Sequence, residues 1–140
     1  MQNHSSKTQK VLRSAGSTWL VLRAWIELLR VEWRLAMRGF PVVYENVRDS
    51  PVHNSGLSAQ AGEEICHAVD LACVFYFKQV RCLQRSAATT VLLRHAGLAA
   101  EMVIGVQPCP FRAHAWVEVA GRIVNDKPYT SEMYTVMDRC

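Results

Sequence analysis

The sequence lacks any uninterrupted apolar run long enough to cross a bilayer, although half of its residues are hydrophobic. A spanning helix needs roughly 18 or more apolar positions in a row, and Arg23, Glu27, Arg30 and Arg34 break the longest stretches. The segment Met1–Lys10 is polar, with no apolar core ahead of a small-residue cleavage site, which argues against secretion. A cytoplasmic location is expected, with membrane association left to a surface helix at most. The five cysteines, at positions 66, 73, 82, 109 and 140, include no Cys-x-x-Cys pair and no Cys/His cluster at zinc-finger spacing. Neither a disulfide framework nor a metal site is expected. There is no lysine/arginine run and no alternation of aromatic with basic residues, so nucleic acid is a poor partner. The net charge of +4 rests mostly on scattered arginines, and so small an excess favours an acidic peptide only weakly. A Gly-rich phosphate loop and internal repeats are also missing. No cofactor is implied.

At 140 residues the chain amounts to one domain. Residues 1–10 offer nothing to bury and are expected to be disordered. From Trp19 to Phe40 the spacing turns helical. Trp19, Leu22, Ile26, Leu29, Trp33 and Ala36 recur every three or four residues, opposite Arg23, Glu27, Arg30, Arg34 and Arg38. Leu20, Val21, Trp25, Leu28, Val31 and Leu35 widen the apolar arc beyond one packing face, so a docking role follows as an expectation. Gly39-Phe40-Pro41 should end the helix. Residues 41–56, with Pro41, Pro51, Asn54 and Gly56, read as a loop. They divide an N-terminal extension, residues 1–50, from a catalytic part, residues 51–140.

Ser58 is the expected N-cap of a second helix, which runs through Ile65 and Val69 to about Val80. A break near Arg81 lets a third helix start at Cys82, bury Leu83, Ala87, Val91, Leu92 and Ala96, and stop at Gly97. Strands are expected over 101–106, 113–119 and 122–125, with turns at 108–112 and at Ala120-Gly121. The fold class that results is α+β, a cysteine-bearing helix on a small antiparallel sheet with a helical N-terminal extension.

The most informative residues are Cys82, His114 and Asp126. A thiol, an imidazole and a carboxylate are the nucleophile, general base and orienter of cysteine acyl transfer. A helix start offers unsatisfied N–H groups and positive dipole, which favour thiolate. His114 and Asp126 fall on neighbouring strands of the expected hairpin, within cross-strand reach. Each has a plainer reading. A histidine among apolar strand residues is ordinarily core, and Asn125-Asp126 before Lys127-Pro128 is good turn chemistry. Asn125 is the alternative orienter, and Trp116 could shield the imidazole from water. The Cys82 N–H is a natural oxyanion donor, with Gln79, three residues upstream, the candidate for a second. Cys66 and Cys73 lie seven apart on one helical face and read as buried apolar residues; Cys109, between two prolines, and Cys140 have no base in their own motif.

The strings Arg81-Cys82-Leu83-Gln84-Arg85-Ser86-Ala87-Ala88, Phe111-Arg112-Ala113-His114-Ala115-Trp116-Val117-Glu118 and Gly121-Arg122-Ile123-Val124-Asn125-Asp126 together resemble the lasso-peptide biosynthesis B2 proteins. These are transglutaminase-like leader peptidases. The resemblance is close over about residues 57–128 and looser before them. It implies a papain/transglutaminase-like core, a Cys82-His114-Asp126 triad and no cofactor. The substrate it implies is a ribosomally made precursor peptide, cut through a thioester to free its core for a lasso cyclase. The N-terminal segment has no strands for a recognition domain, so a separate leader-recognition protein is implied as partner. Two other functions use the same residues or fold: transamidation, where an amine intercepts the thioester, and peptide binding without catalysis. The second has no need of all three residues together.

Overall fold

The structure, a computed structural model, describes residues 4–53 and 58–140, with side chains from residue 16 onward. Five helices and four strands follow in the order α1 (His4–Arg38), α2 (Phe40–Arg48), α3 (Ala59–Val74), α4 (Cys82–His95), β1 (Ala100–Pro108), β2 (Phe111–Val119), β3 (Arg122–Ile123), α5 (Thr130–Met133) and β4 (Thr135–Arg139). The strands form one antiparallel sheet in the order β3-β2-β1-β4. The expected α+β class is the observed one.

Strand alternation explains why the helices α1 to α4 lie on one face of the sheet. Met102 of β1 is buried in a cluster with Ala24, Leu28 and Val31 of α1, Val69 of α3 and Val91 of α4. Ala100 and Val117, also on the sheet, join Ile65, Leu93 and Ala96 in a second cluster. Val103 and Trp116, which pair across β1 and β2, point to the opposite face. Residues before position 50 therefore share the core of the rest of the chain: Val43 and Val47 of α2 are buried in the first cluster too.

Several expectations need correction. The stretch from residue 41, expected as a loop, holds α2 as far as Arg48. Pro41 falls in its first turn, where a missing N–H costs nothing. Gly39, at φ +78°, makes the corner between α1 and α2 and donates its N–H to Leu35 O at 3.1 Å. Asn54 and Gly56 lie outside the described residues. The first helix starts at His4, within the segment expected to be disordered, while Met1–Asn3 lie outside the described residues. Ser58 stands at the N-cap of α3 but its side chain makes no capping bond, and α3 ends at Val74, well short of Val80. The α4 boundaries and the Ala120-Gly121 turn are as expected, with Ala120 at φ +50° and Gly121 at +74°. The third strand is shorter than expected, and β4 was not anticipated. Among the described residues no helix is long and apolar enough to cross a membrane.

A buried arginine joins the two halves of the helical layer. Arg94, 8% exposed, donates through Nε to Ala100 O at 2.8 Å and through Nη1 to Val47 O, to Ser50 O at 3.3 Å and to Ser50 Oγ at 3.2 Å. It thereby gathers the Val47 and Ser50 carbonyls at the end of α2, where Val47 O also accepts the Ser50 N–H and hydroxyl. Arg94→Met keeps the apolar stem and removes the guanidinium's bonds to Val47, Ser50 and Ala100. Urea denaturation should show a loss of roughly 2–4 kcal/mol. A variant within about 0.5 kcal/mol of the parent would mean that water replaces the guanidinium at no cost.

Candidate active site

Cys82 is the first residue of α4. The segment before it is anchored by Gln84, which is buried and accepts the Arg81 N–H on Oε1 at 2.9 Å. The amide of Gln84 donates to Glu32 of α1, and Glu32 also pairs with Lys78. The long first helix thus fixes the point at which the chain turns into α4. Cys82 itself is half-buried.

Ser86, one helical turn further on, ties α4 to the strand carrying His114. Its hydroxyl donates to Ala115 O at 2.9 Å and accepts from Asn125 Nδ2 at 3.0 Å. The bonding pattern along β2 explains this position. Val117 turns its N–H and C=O toward β3, where the N–H meets Asn125 Oδ1 at 2.7 Å and the C=O meets Val124 N at 2.9 Å. Ala115, two residues earlier, points its carbonyl the same way, but β3 pairs only with Glu118 and Val119. The Ser86 hydroxyl fills that open edge. Cys82 and Ser86 share a helical face at a spacing of four. With Ser86 at Ala115, and Leu93 in one cluster with Val117, the helix runs along β2 from its His114 end. Cys82 is carried toward that end.

His114 and Asp126 meet directly, with Nε2 and Oδ2 2.5 Å apart and each side chain about one-quarter exposed, at 25% and 22%. An ionised carboxylate only accepts, so Nε2 carries the hydrogen and Nδ1 is left for another partner. The contact is not made by paired strands as expected, because Asp126 lies beyond β3. The Asn125 side chain stands in for a strand backbone at Val117 and sets the position of the next residue. Both ends of the Asn125 amide are thus engaged, and it is not the orienter of His114. Among the described residues no hydrogen bond joins Cys82 to His114.

Burial acts to raise the Asp126 pKa, but the bond from His114, the Lys127 N–H at 2.7 Å and the charges of His114 and Arg85 outweigh it, and the carboxyl ends below its ordinary value. Arg85 also pairs with Asp70 at 2.6 Å, and these residues with Asn125, Asp126 and Lys127 line an open hollow of about 340 Å³ beside the site. On its other side the imidazole stacks on Tyr134, at 5.2 Å between centroids, and lies 6.2 Å from Trp116. Trp116 is fully buried and donates Nε1–H to Glu118 Oε1 at 2.8 Å, while Arg139 holds the other carboxylate oxygen at 2.6 Å. Gly105, the cross-strand partner of His114, has no room for a Cβ, which would lie 2.8 Å from the Trp116 ring and 2.9 Å from Tyr134 Cβ. Sequence reasoning missed Tyr134; it belongs to a short segment whose pattern gives no strand signal.

Of the other cysteines, burial pushes the Cys66 and Cys140 thiols up to about 11 and raises Cys73 as well, which leaves them little nucleophilic thiolate. Cys109 is exposed in the β1–β2 turn. Gln79 is exposed in the segment leading to α4. No group of three or more His, Cys, Asp or Glu among the described residues is placed to hold a metal ion.

Residues 25–139 match the family model described as the transglutaminase-like superfamily. The chain is also similar to the microcin J25-processing protein McjB of Escherichia coli, with 27% identity over 123 residues, covering 84% of this chain and 58% of that protein. It therefore spans little more than half the length of the curated relative it matches. No solved structure gives a significant match.

The depressed Asp126 carboxyl gives a stability effect with a fixed sign. A group whose pKa falls on folding stabilises the fold above its unfolded value, and that contribution disappears as pH drops through the folded value. The stability lost in Asp126→Asn, measured by denaturation, should thus shrink as the pH is lowered through and below the ordinary aspartate value of about 3.9. A difference that grows as the pH falls below that value would contradict the His114–Asp126 pairing.

Proposed function

The chain belongs to the transglutaminase-like superfamily, and from that membership and its site we propose that it is a cysteine peptidase acting through Cys82, His114 and Asp126. The observation that carries this reading is the His114–Asp126 hydrogen bond, 2.5 Å long, on a strand tied through Ser86 to the helix that Cys82 begins. In this mechanism the Cys82 sulfur attacks a peptide carbonyl carbon, and the thiol proton passes through His114 to the leaving amine as the C–N bond breaks. His114 then takes a proton from water, whose oxygen attacks the thioester and releases the acid and the free thiol. Asp126 holds the imidazole with Nδ1 toward sulfur and offsets its charge when both nitrogens are protonated. The Cys82 N–H at the helix start, with the Gln79 amide as second donor, faces the developing oxyanion. Neither a metal nor a cofactor enters these steps.

The likeness to a microcin J25-processing protein, with the resemblance of the Cys82, His114 and Asp126 segments to lasso-peptide B2 proteins, supports a substrate class. We assign as substrate a ribosomally made lasso precursor peptide, cut at the end of its leader. A separate leader-recognition protein presents it, and the freed core goes to a lasso cyclase in the cytoplasm.

Incubating the chain with the precursor encoded beside its gene and the leader-binding protein, then weighing the products, tests this. Leader and core should appear with one water added between them; an amine adduct on the leader would identify a transamidase instead. Cys82→Ala and His114→Ala should each lower the rate by about 10³-fold or more, and Asp126→Ala by ~10²–10⁴-fold, without unfolding. Cleavage by Cys82→Ala at near parental rate would end the proposal.

A further inference from the structure

The first helix carries two apolar stripes; the fold buries one of them and touches the other at Leu29, which is half-buried against the core. Ala24, Leu28 and Val31 are buried in the core. The other stripe, Trp19, Leu22, Ile26, Leu29, Trp33 and Ala36, steps along the helix by three, four, three, four and three residues. Its members are largely in solvent: Trp19 is 60% exposed, Leu22 47%, Ile26 37% and Trp33 61%. Alternating steps of three and four form the seam that one helix offers another, in which each side chain inserts between four residues of the facing helix. A lipid surface has no such register and rewards a broad apolar face rather than a two-position seam.

The flanks say what kind of helix fits. Arg23 and Arg30 immediately follow Leu22 and Leu29, at the positions that border a coiled-coil seam. Arg30 lies 3.2 Å from Glu27, which Arg34 also approaches at 3.7 Å, so two guanidiniums share one carboxylate and this side stays positive. The other border is taken up within the fold. Trp25 packs edge-on against Tyr76 at 6.0 Å, and Glu32 holds Lys78 and Gln84. A second copy of the chain is a poor occupant. Antiparallel pairing sets the arginine border against itself, and parallel pairing sets Arg30 against Trp25 and Arg23 against Thr18, with no ion pair in either case.

We propose that this seam docks an amphipathic helix of a partner protein whose seam is bordered by acidic residues. The inference stands apart from the chemistry assigned to Cys82. Its test uses the full chain and a synthetic four-heptad peptide with leucine at the two seam positions and glutamate on both borders, whose like charges keep it monomeric. Titration should shift the tryptophan emission to the blue and saturate. The same peptide with lysine borders should bind about tenfold more weakly or worse, the equivalent of ~1.4 kcal/mol. Trp33→Glu, at an exposed position, should abolish the shift while the melting temperature holds, and the pair Arg23→Glu with Arg30→Glu should reverse the preference between peptides. No saturable shift, or equal binding of both peptides, would overturn the proposal. So would a response to phosphatidylglycerol vesicles alone, or a dimer in sedimentation that Trp33→Glu dissociates.

Discussion

One serine hydroxyl sets where the proposed nucleophile and base stand. Ser86 is 1% exposed, and its oxygen bridges the Ala115 carbonyl of β2 and the Asn125 amide, while Asn125 reaches on to the Val117 N–H. Every group in this chain of bonds is buried, and none has water to fall back on. Each bond contributes only about 1 kcal/mol net, but losing a partner leaves buried donors or acceptors unpaired at about 1–3 kcal/mol each. That asymmetry makes the arrangement specific as well as stable. A slip of β2 by one residue breaks the bonds at Ala115 and Val117, and a rotation of α4 breaks the two at Ser86. His114 and Asp126 depend on these bonds, because each is the chain neighbour of a member of the bridge.

Around the bridge, the rest of the molecule acts on the two ends of the site. Glu32 in α1 reaches Gln84 and through it the Arg81 N–H, so the helix that looks in sequence like an appendage holds the start of α4. On the far face of the sheet, Tyr134 and Trp116 stack beside the imidazole, in space left by the missing side chain at Gly105. The stacking limits the ring to few orientations, and the Asp126 bond selects among them by fixing which nitrogen carries the hydrogen. Arg139, held at Glu118, ties β4 to the same group of rings.

Much of this was legible in the chain, for identifiable reasons. The start of α4 is marked by a change of direction between two apolar helical patterns, and its end by Gly97. The β2–β3 turn is legible because Ala120-Gly121 sits between alternating segments. His114 and Asp126 were paired by counting outward from that turn. What failed was of three kinds. Proline misled at α2, where Pro41 opens a helix rather than preventing one; the buried pair Val43 and Val47, four apart, was the signal passed over. Periodicity found α1 but not its inner face, since both its stripes are apolar and only the position of α3 and α4 decides which is covered. Side-chain bridges left no local trace: Ser86 and Asn125 meet across 39 residues and Tyr134 reaches His114 across about 20, and no spacing rule reaches that far.

The central claim is that the Cys82 thiol and the His114 imidazole lie within one short bridge of each other in the folded chain, and 1,3-dichloroacetone measures this directly. Sulfur displaces one chloride and a ring nitrogen the other, leaving a three-carbon link that peptide mass mapping locates. The account predicts a single crosslinked species joining the peptides that contain Cys82 and His114, absent in urea and absent in Cys82→Ala. Addition at Cys82 with no link to His114 in the native protein, or a link from Cys82 to a different side chain, would contradict it.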